Sequence, residues 1–216
     1  SDELLKIHRR LVDVNDVGEG LGYLQITRGV ADRDFAFPER CPPTLVLFTQ
    51  EKKFSASATA ETGIRVASVE DLRWGRRDIK TTQLLYPLMA KMLAKQKGAD
   101  DAWMVEDGLV TEGTSNNAYI VKDQSVITRN LSNDILHGIT RQSVLKCAEQ
   151  AQLKVEQRAF SVQEVMDADE AFITSATTFV TPVVMIDDTP IGNGTVGPIA
   201  SQLREIYISE SRKTAI

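Results

Sequence analysis

The sequence is poor in the residues that hold metals and cross-links. It has two cysteines, Cys41 and Cys147, and two histidines, His8 and His137, among 216 residues. There is no C-x-x-C pair and no ligand-spaced cluster, so a structural zinc centre is not expected and no metal residue is assigned. The two thiols lie far apart and are read as free in a reducing cytoplasm. No apolar run approaches the roughly eighteen residues that span a bilayer. Residues 1–6, SDELLK, lack the apolar core of a secretory signal. Charge of one sign is not in excess either: 25 Lys and Arg face 30 Asp and Glu, a net charge of −5. That leaves no basic footprint for nucleic acid and no single-sign tail. There are no internal repeats and no low-complexity tract.

What is present is ordinary globular composition, 42% hydrophobic and 25% charged. The length suits one large domain, or a small one joined to a medium one. Leu4, Leu5, Ile7, His8 and Leu11 predict a helix over residues 2–13. Strands are predicted over 20–29, 44–49 and 64–69. The polar, aperiodic stretch 50–62 reads as an interdomain connector, centred on residues 53–60. Leu84, Leu85, Leu88, Met89, Met92 and Leu93 fall at helical spacing, with Pro87 tolerable near a first turn.

Asp107-Gly108 marks a hairpin between 102–105 and 109–111. Residues 118–121 and 125–128 flank a second turn. A helix is predicted over 139–153, a capping box at Ser161–Glu164, strands at 171–174 and 183–186, and a last helix from Pro198. Hairpins mixed with helices make the fold class α+β rather than strictly alternating.

Three segments carry the chemistry. The first is Asp78-Ile79-Lys80-Thr81-Thr82. A lysine ahead of an amphipathic helix is ordinary, but a cation in the first turn opposes the helix dipole and gains nothing there as a surface charge. An amine held near other cations is a candidate nucleophile for a Schiff base, and Arg73, Arg76 and Arg77 lie close to Lys80 in sequence. The second is the run from Val110 to Asn117, VTEGTSNN. By itself Glu112 is a strand-end carboxylate, and it can also partner a pyridine nitrogen. The small polar loop after it lets backbone approach a flat ligand. The third is Leu136-His137-Gly138-Ile139-Thr140-Arg141, a helix start whose free N–H groups suit a phosphate. Thr174-Ser175-Ala176-Thr177-Thr178 offers further hydroxyls at a strand end.

In this order, and with Thr181-Pro182-Val183, these segments resemble the class IV (fold type IV) pyridoxal phosphate-dependent aminotransferases. The resemblance covers residues 1 to about 205 and is nearest the D-amino acid transaminases, whose substrate-region strand looks like residues 23–29, YLQITRG. It implies that Lys80 is the catalytic Schiff-base lysine and proton shuttle, and that Glu112 partners the ring nitrogen. Leu136 would pack on the ring. Gly138, Ile139 and Thr140 would hold the phosphate, Ser115 and Asn116 would lie near the cofactor, and Ser175, Ala176 and Thr177 would complete the phosphate end.

The chain departs from the family pattern at three points. Ala176, six residues before Pro182, stands where the family carries a threonine, leaving backbone N–H groups and Thr177. Arg33-Asp34-Phe35 replaces an Arg-x-His motif, so Arg33 could pair with a substrate carboxylate and Phe35 suits a more apolar substrate end. Family members also carry a preceding N-terminal segment, so part of the small domain is expected to be absent.

The resemblance thus implies a two-domain fold: residues 1–52 as the remainder of a small α/β domain, 53–60 as connector, and 61–216 as the large cofactor-binding domain. It implies a cytoplasmic homodimer that binds pyridoxal 5'-phosphate. A ping-pong reaction would move an amino group from a donor such as D-alanine to a 2-oxo acid, with no nucleic-acid or membrane partner. The same fold also hosts aminodeoxychorismate lyases and branched-chain or (R)-amine aminotransferases. A reading of another class is an inactive, truncated chain that keeps the large domain as a folding or dimerisation unit.

Overall fold

The structure is a computed structural model that describes residues 2–54 and 57–213. The chain divides into two compact units, residues 1–56 and 57–216.

The first unit is a helix, α1 (Asp2–Val14), and a hairpin of β1 (Gly20–Thr27) and β2 (Thr44–Glu51). The strands pair antiparallel with Tyr23 opposite Phe48, and the two rings stack 4.7 Å apart. Such cross-strand aromatic pairs stabilise a two-stranded sheet that is marginal alone. Asn15 ties helix to hairpin, donating from Nδ2 to Leu11 O and Thr49 Oγ1. None of the described residues of this unit is fully buried.

The second unit is built on one nine-stranded mixed sheet. Its strands are β3 (Ile64–Glu70), β4 (Asp101–Glu106), β5 (Leu109–Gly113), β6 (Asn117–Lys122), β7 (Ser125–Thr128), β8 (Lys154–Gln157), β9 (Glu170–Ser175), β10 (Phe179–Ile186) and β11 (Thr189–Pro190). The order is β5-β4-β3-β10-β9-β6-β7-β8, with β11 on β10. The β3–β4, β3–β10 and β7–β8 pairs are parallel and the rest antiparallel. Mixed pairing of this kind fits the α+β expectation.

The helices are α2 (Ala58–Thr62), α3 (Leu85–Gln96), α4 (Ile139–Gln150), α5 (Val162–Met166) and α6 (Pro198–Lys213). One core gathers Trp103, Val110, Ile120, Phe160 and Ile186, and another gathers Tyr119, Phe172, Val144, Ala148 and Leu203 beneath α4 and α6. Each such buried large side chain is worth about 1.5–3 kcal/mol relative to exposure.

The hairpin predicted at Asp107-Gly108 is present, with both residues at positive φ (52° and 76°) as a tight primed turn requires. Asp123-Gln124 and Asp187-Asp188 adopt the same sign without any glycine. Ser161 and Glu164 form the expected capping box on α5.

The stretch 50–62 includes α2 at its C-terminal end. Expectations are corrected at α4 and at Lys80. The helix α4 ends at Gln150, and the residues after it supply β8, which pairs parallel to β7. The helix predicted from positions 84, 85, 88, 89, 92 and 93 forms; these positions are exposed, and α3 docks through Ala90 and Ala94, whose small side chains allow close approach to Ala67 and Met104. Lys80 is not in a first turn: it lies in irregular backbone, four residues ahead of the α3 N-cap at Leu84.

Candidate functional site

Strand register brings the Glu112 loop and the Ser175–Thr178 turn to one end of the second unit's sheet. Asn117, the first residue of β6, sits opposite Thr174 near the end of β9. The loop joining β5 to β6 and the Ser175–Thr178 turn joining β9 to β10 therefore emerge at the same end. The start of α4 meets them there.

Glu112, near the end of β5, is the centre of this arrangement and only 4% exposed. Its Oε1 accepts from Arg73 Nη1 at 2.7 Å. Its Oε2 accepts from Asn117 Nδ2 and from the backbone N–H of Leu136, both at 3.0 Å. Burial pushes the Glu112 carboxyl above its ordinary value, and the Arg73 guanidinium opposes this without cancelling it. Among the described residues three donors engage a group with about four acceptor positions, so one position is left open among them for a further donor.

Asn117 links this carboxylate to the next segment. Its Nδ2 also donates to Leu136 O at 2.9 Å, which fixes the approach of residues 136–138 to β6. Gly138 is the N-cap of α4, and Thr140 in its first turn is buried. The helix thus presents its free N–H groups beside the carboxylate site. Ile139 is exposed.

The loop between β5 and β6 is locked from behind. Thr114 Oγ1 donates to Asp101 Oδ1 at 2.5 Å, and Asn116 Nδ2 donates to Asp101 Oδ2 at 2.8 Å. Gly113 N donates to Asn116 O across the turn. Asn116 Oδ1 is buried without a hydrogen-bond partner among the described residues, and Ser115 is exposed at the tip. In the β9–β10 turn, Ser175 Oγ lies 2.8 Å from Thr178 Oγ1 and accepts from Thr178 N, while Ala176 and Thr177 are exposed.

Lys80 is exposed, and its Nζ makes no hydrogen bond or ion pair among the described residues. The neighbouring arginines are all committed to carboxylates. Arg73 engages Asp71 and Glu112, Arg76 engages Asp78, and Arg77 engages Glu106. The three arginines that lie close to Lys80 in sequence thus each carry their own counter-charge. In the first unit, Arg33 and Phe35 lie in an exposed loop, with the guanidinium carbon 5.6 Å from the ring centroid.

Glu112, Asn117, Leu136 and Gly138 are thus joined by direct contacts. Sequence reasoning misses Asp71 as a site residue, takes Arg73 only as a neighbour of Lys80, and meets Asn117 only as the end of a motif. The available signal is the acid–base alternation Asp71-Leu72-Arg73 after a strand end, whose partner Glu112 lies 39 residues away.

The buried carboxylate and the helix start beside it fit the ring nitrogen and the phosphate of pyridoxal 5'-phosphate, while Lys80 is an exposed amine on the preceding segment with no contact to either among the described residues. Comparison with known proteins agrees. Residues 1–186 match the family described as Amino-transferase class IV. A D-alanine aminotransferase of Staphylococcus aureus (strain N315) is 40% identical over 205 residues, 94% of this chain and 72% of the relative's length. One from Bacillus licheniformis is 38% identical, with 98% of this chain and 76% of the relative covered. Among solved structures, a branched-chain amino acid aminotransferase from Thermobaculum terrenum in its PLP-form superposes with a TM-score of 0.80 at 25% identity, covering 99% of this chain and 71% of that one.

Proposed function

The chain belongs to the class IV aminotransferase family, and from that premise we propose that it transfers an amino group between an amino acid, D-alanine first, and a 2-oxo acid with pyridoxal 5'-phosphate. The observation that carries the reading is the buried Glu112 carboxylate with one acceptor position open. Lys80 would hold the cofactor covalently through Nζ. Glu112 would hold the ring nitrogen. Gly138, Ile139 and Thr140, with the Ser175-Ala176-Thr177 turn, would take the phosphate. Ser115, Asn116 and Leu136 would flank the ring.

When bound, the cofactor would supply an electron sink for the charge left as the substrate α-carbon gives up its proton. Lys80 carries that proton, since its amine is engaged by no other described side chain. Glu112 keeps a proton at the ring nitrogen from the buried end of the site. The N–H groups at the start of α4 would hold the phosphate and offset its charge.

The protein acts as a homodimer in this reading, supported by the row of exposed apolar residues on α3. A cytoplasmic location belongs to it too, because Cys41 and Cys147 are both free thiols. No helix of the described residues is long and apolar enough to cross a membrane.

The test supplies the cofactor-loaded chain with D-alanine and 2-oxoglutarate and measures pyruvate. Pyruvate formation supports the reading, and a panel of L-branched-chain and (R)-amine donors ranks the substrate class. No transfer from any donor, with turnover of aminodeoxychorismate instead, would reassign the chain as a lyase. No binding of pyridoxal phosphate at all would leave the non-enzymatic reading.

A further inference from the structure

Arg73 is placed to decide how Glu112 behaves. Its guanidinium is a fork between two carboxylates. Nε and Nη2 donate to Asp71 at 2.9 and 2.7 Å, and Nη1 donates to Glu112 at 2.7 Å. The Asp71 side chain is fully buried and also accepts from Thr111 Oγ1 at 2.6 Å. Arg77 supports the assembly from the other side. It lies 3.6 Å from Asp71, donates to Glu106 with both terminal nitrogens, and donates to the backbone carbonyl of Arg73. The groups facing this fork are therefore Asp71, Arg77, Glu106 and Glu112, with Asp134 beyond them already paired to Arg129.

Asp71 and Glu112 are the enclosed carboxylates and share the single Arg73 guanidinium, while Glu106, its side chain 40% exposed, is paired with Arg77. A buried carboxylate is unfavourable unless a cation or hydrogen-bond donors hold it. Glu112 is the member with an open acceptor position. That position is where a protonated ring nitrogen would sit, with Arg73 on the other oxygen of Glu112.

We propose that Arg73 is a positioning residue that holds Glu112 as a carboxylate in its buried site, so that the proton shared with the cofactor stays on the ring nitrogen. This deepens the aminotransferase reading and rests on it. Without the guanidinium, burial favours the neutral acid, and a neutral acid donates a proton toward the ring nitrogen instead of accepting one. The ring would then lose the full positive charge that makes it an electron sink. Asp71 completes the device by fixing the fork so that Nη1, rather than the whole guanidinium, is presented to Glu112.

The test uses Arg73→Met and Arg73→Lys in the full chain. The first readout is the pH titration of the Glu112 side-chain carboxyl by 13C NMR without cofactor, with the signal assigned through Glu112→Gln. Arg73→Met is expected to raise the midpoint by about one to three pH units. Arg73→Lys, which cannot span both carboxylates with a planar fork, is expected to raise it by less. The second readout is the ring 15N signal of bound, labelled pyridoxal phosphate, which should move from the protonated toward the unprotonated position in the Met variant. With it, kcat should fall while the KM for D-alanine changes little.

Unchanged 13C and 15N signals in Arg73→Met would overturn the proposal. If that variant does not fold, wild-type signals in Arg73→Lys would do the same. If the wild-type chain fails to bind pyridoxal phosphate, the function reading falls, while the Glu112 titration still decides the part played by Arg73.

Discussion

A Cβ on Gly138 would lie 2.3 Å from Asn117 Oδ1. The same Asn117 side chain donates to Glu112 and to the Leu136 carbonyl. The φ of Gly138 is −62°, open to any residue, so the demand for glycine here is one of space. Gly138→Ala should therefore displace Asn117 and weaken cofactor binding, and it should cost about 1–3 kcal/mol of stability as overpacking does. Asn117→Ala removes the clashing oxygen. The double variant Gly138→Ala/Asn117→Ala should consequently be more stable than the sum of the single changes predicts. Additive melting temperatures would show that the two residues do not compete for this space.

Lys80 separates chemistry from stability. It is exposed and unpaired among the described residues, so Lys80→Ala should change stability by no more than about 0.5 kcal/mol. The same change should abolish covalent attachment of pyridoxal phosphate, read as the mass gained after borohydride reduction. A mass gain at another lysine, with activity intact, would identify a different nucleophile.

The Asp71–Arg73 pair gives a pH dependence of defined sign. Burial pushes the Asp71 carboxyl up, but Arg73, Thr111 and Arg77 together hold it below its ordinary value. A carboxyl lowered in the folded state contributes stability that is present above its unfolded value and is lost as pH falls through the folded one. Glu112, raised by burial, works the other way, since its ionised form is the costly one. Melting temperature should thus fall on acidification below about pH 4. Asp71→Asn should lower stability at neutral pH by about 3–5 kcal/mol, as removal of one partner from a buried pair does. It should also flatten the acid limb. An acid limb as steep as that of the wild type would place the acid sensitivity in other carboxylates.

These residues also show what the sequence discloses. The Asp107-Gly108 hairpin and the Ser161 capping box are local devices, and both form where the sequence predicts them. Glu112 and the Gly138 helix start are legible as ordered motifs. The role of Arg73 is not, because its meaning comes from Glu112 and Asp71 converging on one guanidinium. Lys80 looks in sequence like the run-in to a helix. Ion pairs, and the Arg77 N–H bonded to Asn133 O at 2.8 Å, hold the segment around it irregular instead. The α3 stripe is correctly helical, but periodicity cannot say whether an apolar face meets the sheet or the solvent.

That face yields the last prediction. Leu84, Leu85, Leu88, Met89, Met92 and Leu93 are each 44–66% exposed, while Ala90 and Ala94 take the sheet side. Contiguous exposed apolar surface marks an association site, and Leu88 and Met92 lie one turn apart on it. Because the fold does not bury these side chains, Leu88→Asp/Met92→Asp should leave the melting profile of the separated chain nearly unchanged. A buried interface centre tolerates charge poorly, so dimer affinity should fall by at least about thirtyfold. Sedimentation velocity across a concentration series reads this directly. A wild-type chain that stays monomeric throughout, or a double variant that dimerises as well as wild type, would remove α3 from the interface.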